Sequence, residues 1–162
     1  MDMNGIMILG VFVVGFVTAQ LTKMLIAVLK NRGKVNKREI LAWTMKSGGM
    51  PSGHSASFVA VCTVIGLTQG FDAPIFALAV CTTIVIIYDA LNVRYAVGEQ
   101  GKLLNELVIR WQKENGSRNS KEEKDLQSLK LVEGHKFWEV VAGIWLGIVV
   151  GLVGYLLFAV NF

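Results

Sequence analysis

Charge is scarce in this chain. Of its 162 residues, only 17% are Asp, Glu, Lys or Arg, whereas 53% are hydrophobic and the mean hydropathy is +0.52. An ordinary soluble domain carries about 25% charged residues. The composition therefore excludes that class of protein.

Cysteine and metal-binding patterns are equally sparse. The chain has two cysteines, Cys62 and Cys81, which have neither the spacing of a zinc site nor the number that a disulfide framework needs. Both fall in apolar runs, so we interpret them as small packing residues. The sequence also contains no Walker-type phosphate loop and no Asp-rich metal loop.

Long apolar runs make up most of the rest. A membrane-spanning helix needs about 20 mostly apolar residues. We predict an all-α integral membrane protein, a single domain over 1–162, with four transmembrane helices at about 6–29, 54–69, 74–96 and 137–160. The turn between the second and third is QGFDAP (69–74). The first run has no basic leading segment and no cleavage site, which predicts a helix rather than a signal peptide.

The positive charges are confined to two connections. All 16 lysines and arginines lie between Lys23 and Lys136, and those of the connections lie in 30–46 and 102–136. By the positive-inside rule, segments 30–53 and 97–136 face the cytoplasm and both termini lie outside the cell membrane. The segments are short and membrane-flanked, and acidic residues balance the second, so nucleic acid is not an expected partner.

Two stretches of these connections have a helical pattern. Segment 34–46 (KVNKREILAWTMK) mixes apolar and charged residues and predicts a short interfacial helix with Trp43 at the headgroup level. Residues 103–112 predict a helix with one apolar face, made of Leu103, Leu104, Leu107, Val108 and Trp111.

The two histidines of the chain are predicted to meet at the cytoplasmic face. His54 begins the second predicted helix, and His135 and Glu139 lie where the fourth begins. His135 and Glu139 are four residues apart, so on a helix the carboxylate can hold one imidazole nitrogen while the other attacks. His54 is placed to protonate a leaving group.

Anion-binding groups surround these three residues in the predicted topology. Cationic side chains and helix N-terminal N–H groups both bind phosphate. Together with the histidines they indicate phosphoryl transfer without a metal or other cofactor. The predicted phosphate-binding residues are Lys46, Ser52, Gly53, Arg94 and Lys130. Asp89 and Lys23 are candidates for supporting roles. For Lys23 we favour a side chain that extends to the membrane interface over one that reaches the site.

Three blocks of the sequence resemble a known family. PSGH in GGMPSGHSA resembles the motif of the type 2 phosphatidic acid phosphatases, which are relatives of the vanadium haloperoxidases. With YDALNVRYAVGEQGKLLNE and LKLVEGHKFWEV, the pattern over about 46–140 is most similar to the small divergent PAP2 membrane proteins. The resemblance implies a PAP2-like helical bundle. It also implies that His135 is the nucleophile, His54 the general acid, Glu139 the residue that orients His135, and Ser52 and Gly53 part of the phosphate cradle.

The chain departs from the superfamily pattern at three points. The first motif, Lys-x6-Arg-Pro, is absent, since the only prolines are Pro51 and Pro74. The last motif of the superfamily is Ser-Arg-x5-His-x3-Asp, and Ser128 matches its serine, but Leu129 stands where that motif has arginine. Glu139 replaces an aspartate. Lys130 or Arg94 is available to supply the missing charge.

The resulting prediction is a membrane phosphatase that hydrolyses a lipid phosphate or prenyl diphosphate through a phosphohistidine. One alternative is a lipid-phosphate binding or scaffold protein that uses the same basic pocket without turnover. Another is a small transporter, for which Asp89 and Lys23 are the only relay candidates. The glycine ladder Gly143, Gly147 and Gly151 allows close helix packing, within the chain or between the protomers of a homo-oligomer.

Overall fold

The chain folds as a bundle of helices. The structure, a computed structural model, describes residues 5–30, 49–114 and 137–161. Within these ranges the elements are α1 (Gly5–Lys30), α2 (Gly53–Gln69), α3 (Pro74–Tyr88), a π-helical turn (Asp89–Val93), α4 (Arg94–Glu114) and α5 (Phe137–Asn161). No strand occurs in the described part of the chain. The predicted all-α class is confirmed.

Among the described residues, three helices are long and apolar enough to cross a membrane. They are Gly5–Lys30, the continuous helix over Pro74–Trp111 and Phe137–Leu157. The other predicted span, α2, has 17 residues, or about 26 Å at 1.5 Å per residue. It packs against α1, α3 and α5. Since neighbouring helices enclose it, α2 can be shorter and more polar than a helix that faces lipid.

Hydroxyl groups on α2 are satisfied by its own backbone. Ser57, Thr63 and Thr68 each donate to the carbonyl oxygen four residues earlier, at 2.9, 2.8 and 2.7 Å. Thr83 of α3 and Cys62 of α2 share a hydrogen bond of 3.0 Å. Such bonds remove the cost of burying a hydroxyl among apolar groups. Cys62 and Cys81 are both free thiols.

The glycine ladder of α5 packs against α2 of the same chain. A Cβ at Gly143 or Gly147 would lie 2.6 Å from the carbonyl oxygen of Ser52 or Ala56, respectively. At Gly151 the nearest atom is Cβ of Thr63, also at 2.6 Å. The predicted close packing is therefore confirmed. This face of the ladder is occupied within the chain, so it is not a free surface for a second protomer.

The turn after α2 lies where the sequence predicts it. α2 ends at Gln69, Gly70 follows with φ 95°, and Pro74 begins α3. A positive φ favours glycine, and proline suits the first turn of a helix because its nitrogen needs no partner there. Phe71 and Phe76 pack edge to face across the turn, with ring centroids 5.2 Å apart.

The third predicted span is longer in the structure than in the sequence analysis. The apolar run ends near residue 96, but the helix continues through the π-helical turn to Glu114. Hydropathy shows where the apolar residues end. A helix can continue beyond that point with polar residues, because each added residue extends its backbone hydrogen bonding. The predicted amphipathic face over 103–112 lies on α4, and Leu103, Leu104, Leu107 and Trp111 are exposed on it. The predicted interfacial helix over 34–46 lies outside the described residues.

Candidate functional site

The PSGH motif forms the beginning of α2. Ser52 is the N-cap: its Oγ accepts from the N–H of Ser55 at 3.4 Å and from the Ser55 hydroxyl at 3.0 Å. Serine is favoured at this position because its oxygen satisfies a backbone donor that has no partner within the helix. Every residue from 51 to 57 is buried except His54, which is half-buried. The motif thus supports one histidine that reaches toward the surface.

A backbone hydrogen bond joins the PSGH motif to the start of α5. The N–H of Ser52 donates to the carbonyl oxygen of Glu139 at 2.8 Å. Glu139 lies in the first turn of α5. One turn later, Gly143 lets the two helices approach, since any side chain there would meet the Ser52 carbonyl. Residues 85 positions apart in sequence, His54 and Glu139, therefore belong to one end of the bundle.

The first helix packs on the other side of the same motif. A Cβ at Gly53 would lie 3.4 Å from the ring of Phe16 and 3.9 Å from Nε2 of Gln20. A Cβ at Gly49 would lie 4.0 Å from Cδ of Lys23. The backbone of 49–53 therefore follows α1 from Phe16 to Lys23, and α5 covers its other side.

Lys23 is part of this end of the bundle. Its side chain is half-buried, and it is close enough to Glu139 for the two charges to interact. The sequence favoured extension of Lys23 to the interface over an approach to the site. The structure places it close to Gly49 and near enough to Glu139 to interact electrostatically, and its role stays a prediction. One feature of the sequence could have indicated this position of Lys23. Gln20 and Lys23 are two long polar side chains three residues apart within an apolar run.

Some of the backbone N–H groups that the sequence predicts as a phosphate cradle already donate to other groups of the protein. Ser52 is fully buried, its N–H is bound to Glu139 and its hydroxyl caps α2. No hydrogen bond to the Gly53 N–H occurs among the described residues. An anion at this helix end would therefore meet the N–H of Gly53 rather than that of Ser52.

Asp89 and Arg94 lie on either side of a break in helical geometry. Asp89 begins the π-helical turn directly after α3, and Arg94 begins α4. Ala90 within the turn is buried, and Asn92 Nδ2 donates to the Tyr88 carbonyl at 3.3 Å. Single π-helical turns occur often at functional sites. This turn is the physical feature of the third span that the sequence did not predict.

Several predicted site residues cannot be placed. Lys46, Ser128, Lys130 and His135 lie outside the described residues, and the side chain of Arg94 does as well. His135 precedes the first residue of α5 by two positions in the chain. Within the described ranges no three His, Cys, Asp or Glu side chains form a group suited to a metal ion. The expectation of metal-free chemistry stays a prediction.

Comparison with known proteins agrees with the resemblance seen in the sequence. The family described as "Divergent PAP2 family" matches residues 4–150. The uncharacterized membrane protein YuiD of Bacillus subtilis (strain 168) is 37% identical over 119 residues, which cover 70% of this chain and 75% of the relative. No solved structure matches the chain. A match over almost the whole length, together with the PSGH motif packed against the helix that follows the second histidine, shows that the chain belongs to the divergent PAP2 family.

Proposed function

We propose that this protein is a membrane phosphatase that hydrolyses a lipid phosphate or prenyl diphosphate through a phosphohistidine. The observation that carries the proposal is the hydrogen bond from Ser52 N–H to the Glu139 carbonyl. It holds the PSGH helix against α5, directly beside the block that contains the second histidine. In this proposal, the PSGH motif and the start of α5 form the two parts of the site.

His135 is the nucleophile in this proposal. A neutral imidazole nitrogen attacks phosphorus, a P–N bond forms and the P–O bond to the lipid breaks. Glu139, four residues later, accepts from the other ring nitrogen, which sets the tautomer and stabilises the imidazolium that develops. Water then attacks phosphorus, the P–N bond breaks and inorganic phosphate leaves.

His54 handles the protons of both steps. As an imidazolium it donates its proton to the departing lipid oxygen, and as neutral imidazole it takes a proton from the attacking water. The half-buried position of His54, among buried neighbours on both sides, supports this role. Lys46, Lys130 and Arg94 neutralise the phosphoryl oxygens, the N–H of Gly53 contributes a hydrogen bond, and Asp89, Lys23 and Ser128 support the cluster.

The proposed site faces the cytoplasm at the membrane surface. Of its described residues, Ser52 caps α2, His54 lies in the first turn of α2 and Glu139 lies in the first turn of α5, a helix long enough to span the bilayer. The basic connections lie at the same end of the predicted topology. A substrate with its phosphate at the interface and its chain in the bilayer fits this position. The partners implied are the lipid bilayer and the substrate lipid, and homo-oligomer formation is part of the proposal only through surfaces other than the glycine ladder.

The orientation can be tested with single cysteines. With Cys62 and Cys81 replaced by alanine, we expect Asp72→Cys to react with a membrane-impermeant maleimide on intact cells. Ser120→Cys should react only after the cells are permeabilised. The reverse pattern would place the site on the outer face.

Phosphate release by the purified protein tests the activity. In detergent, with a panel of lipid phosphates and prenyl diphosphates, we expect release that is unchanged by EDTA. Release that EDTA abolishes would assign the chemistry to a metal ion. No release from folded protein that still binds the lipids would favour the binding or scaffold function, which the missing Lys-x6-Arg-Pro motif also favours.

A further inference from the structure

The face of α1 that meets the PSGH motif carries two polar side chains, Gln20, which has no assigned role, and Lys23, which has been named only as a supporting residue. Gln20 and Lys23 are three residues apart, so they project from the same side of the helix. Gln20 lies beside Gly53, and Lys23 lies beside Gly49. The pair therefore runs along the whole 49–53 segment, at the end of the bundle that contains His54 and Glu139.

Gln20 carries an unsatisfied polar atom. Its Oε1 is buried and has no hydrogen-bond partner among the described residues. Leaving a buried amide oxygen without a partner is unfavourable, and polar side chains inside a membrane are often functional. The carboxamide presents an acceptor and two donors, so a rotation of its end can offer either to a ligand.

Lys23 contributes the positive charge next to this amide. Glu139 is close enough to interact with it electrostatically, which offsets part of the cost of burying the charge. An ammonium group has three donors. It can therefore bind a phosphate oxygen and keep its interaction with the carboxylate.

We infer that Gln20 and Lys23 form the anion-binding wall of the site and hold the substrate's phosphate beside residues 49–53. This rests on the proposed function and assigns to α1 the charge that the absent Lys-x6-Arg-Pro motif would supply. Lys23 binds the phosphoryl oxygens directly, and Gln20 donates its NH2 group to the same phosphate. The ligand class is a phosphate monoester or diphosphate dianion.

Binding of inorganic phosphate tests the inference without turnover. The phosphate-induced rise in the unfolding midpoint of the purified protein is measured at constant ionic strength, with sulfate and chloride for comparison. We expect Lys23→Met to weaken phosphate binding by roughly tenfold to a hundredfold, as for loss of a charge-assisted hydrogen bond. Lys23→Arg should recover part of it, and Gln20→Met should weaken it by roughly threefold to tenfold.

Two residues of the same helix provide matched controls. Lys30 lies two turns after Lys23 on the same side of α1 and is exposed, so Lys30→Met should leave phosphate binding unchanged. Thr22 bonds to the Thr18 carbonyl at 2.8 Å, so Thr22→Val should do the same.

A merely structural pairing of Lys23 with Glu139 gives a different result. In that case Lys23→Met lowers the unfolding midpoint that is measured in the absence of phosphate. Adding Glu139→Gln then restores both the unfolding midpoint and phosphate binding. Recovery of binding in the double variant would overturn the inference, as would unchanged binding in folded Lys23→Met or no phosphate effect on the wild-type protein. Recovery of the midpoint alone, with binding still weak, would support it.

Turnover separates this inference from the proposed function. If the wild-type protein releases phosphate and Lys23→Met leaves KM unchanged, the inference is wrong and the proposed function stands. If phosphate binding depends on Lys23 but no lipid is hydrolysed, the inference stands and the proposed function is wrong.

Discussion

Gly143→Ala should destabilise the bundle strongly, whereas Gly10→Ala should not. Both changes replace glycine by alanine inside a helix. The higher helix propensity of alanine by itself stabilises the folded variant by about 1 kcal/mol. At Gly143, however, the new Cβ would lie 2.6 Å from the Ser52 carbonyl oxygen and 2.9 Å from Cβ of Ser55. At Gly10 no atom lies within 4 Å. We expect Gly143→Ala to cost about 1–3 kcal/mol, the usual range for overpacking.

The same variant should lose activity beyond its loss of stability. α5 can make room for the methyl group only by moving away from α2, which lengthens the 2.8 Å hydrogen bond between Ser52 and Glu139. The measurement is the unfolding midpoint of the two variants in one detergent, followed by phosphate release at a temperature where both are folded. Equal midpoints would show that α5 does not pack on α2 as described.

These contacts show which parts of the fold can be read from the sequence. The turn at 69–74 and the glycine ladder are local patterns, and each carries its own physical reason: φ at Gly70, the nitrogen of Pro74 and the missing side chain of Gly143. The spans of α1 and α5 follow from hydropathy in the same way. Such features need no knowledge of the rest of the chain.

Other features depend on how the helices meet. The sequence assigned Ser52 to the phosphate cradle, but its N–H is bound to Glu139, a partner that only tertiary structure reveals. The position of Lys23 beside Gly49 and Glu139 depends on α1 packing along the PSGH segment. The π-helical turn at Asp89–Val93 lies inside a continuous helix, where hydropathy alone gives no signal.

His135→Ala should abolish phosphate release. If His135 forms the covalent intermediate, no other group in the proposed site can replace it, and the rate should fall by about a thousandfold or more. His54→Ala should act differently because it removes the proton donor of the first step and the base of the second. In the first turnover, its effect on release of the leaving group should be large for a lipid alcohol and small for an aryl phosphate, whose leaving oxygen needs no proton.

The pair of histidine variants thus distinguishes the two roles. Both proteins must show the unfolding midpoint of the wild-type protein, since the comparison is one of chemistry rather than of folding. Equal first-turnover losses on alkyl and aryl substrates in His54→Ala would argue against a general acid at that position. Substantial release by folded His135→Ala would assign the nucleophile to another group.

The most direct test of the central claim is to trap the covalent intermediate. The purified protein is mixed with a radiolabelled substrate from the panel that it hydrolyses, quenched with base during turnover and digested. We expect an acid-labile, base-stable phosphate on the peptide that contains His135, and none in the His135→Ala variant. Rapid turnover with no labelled protein at any time after mixing, or a label on a different residue, would contradict the phosphohistidine mechanism.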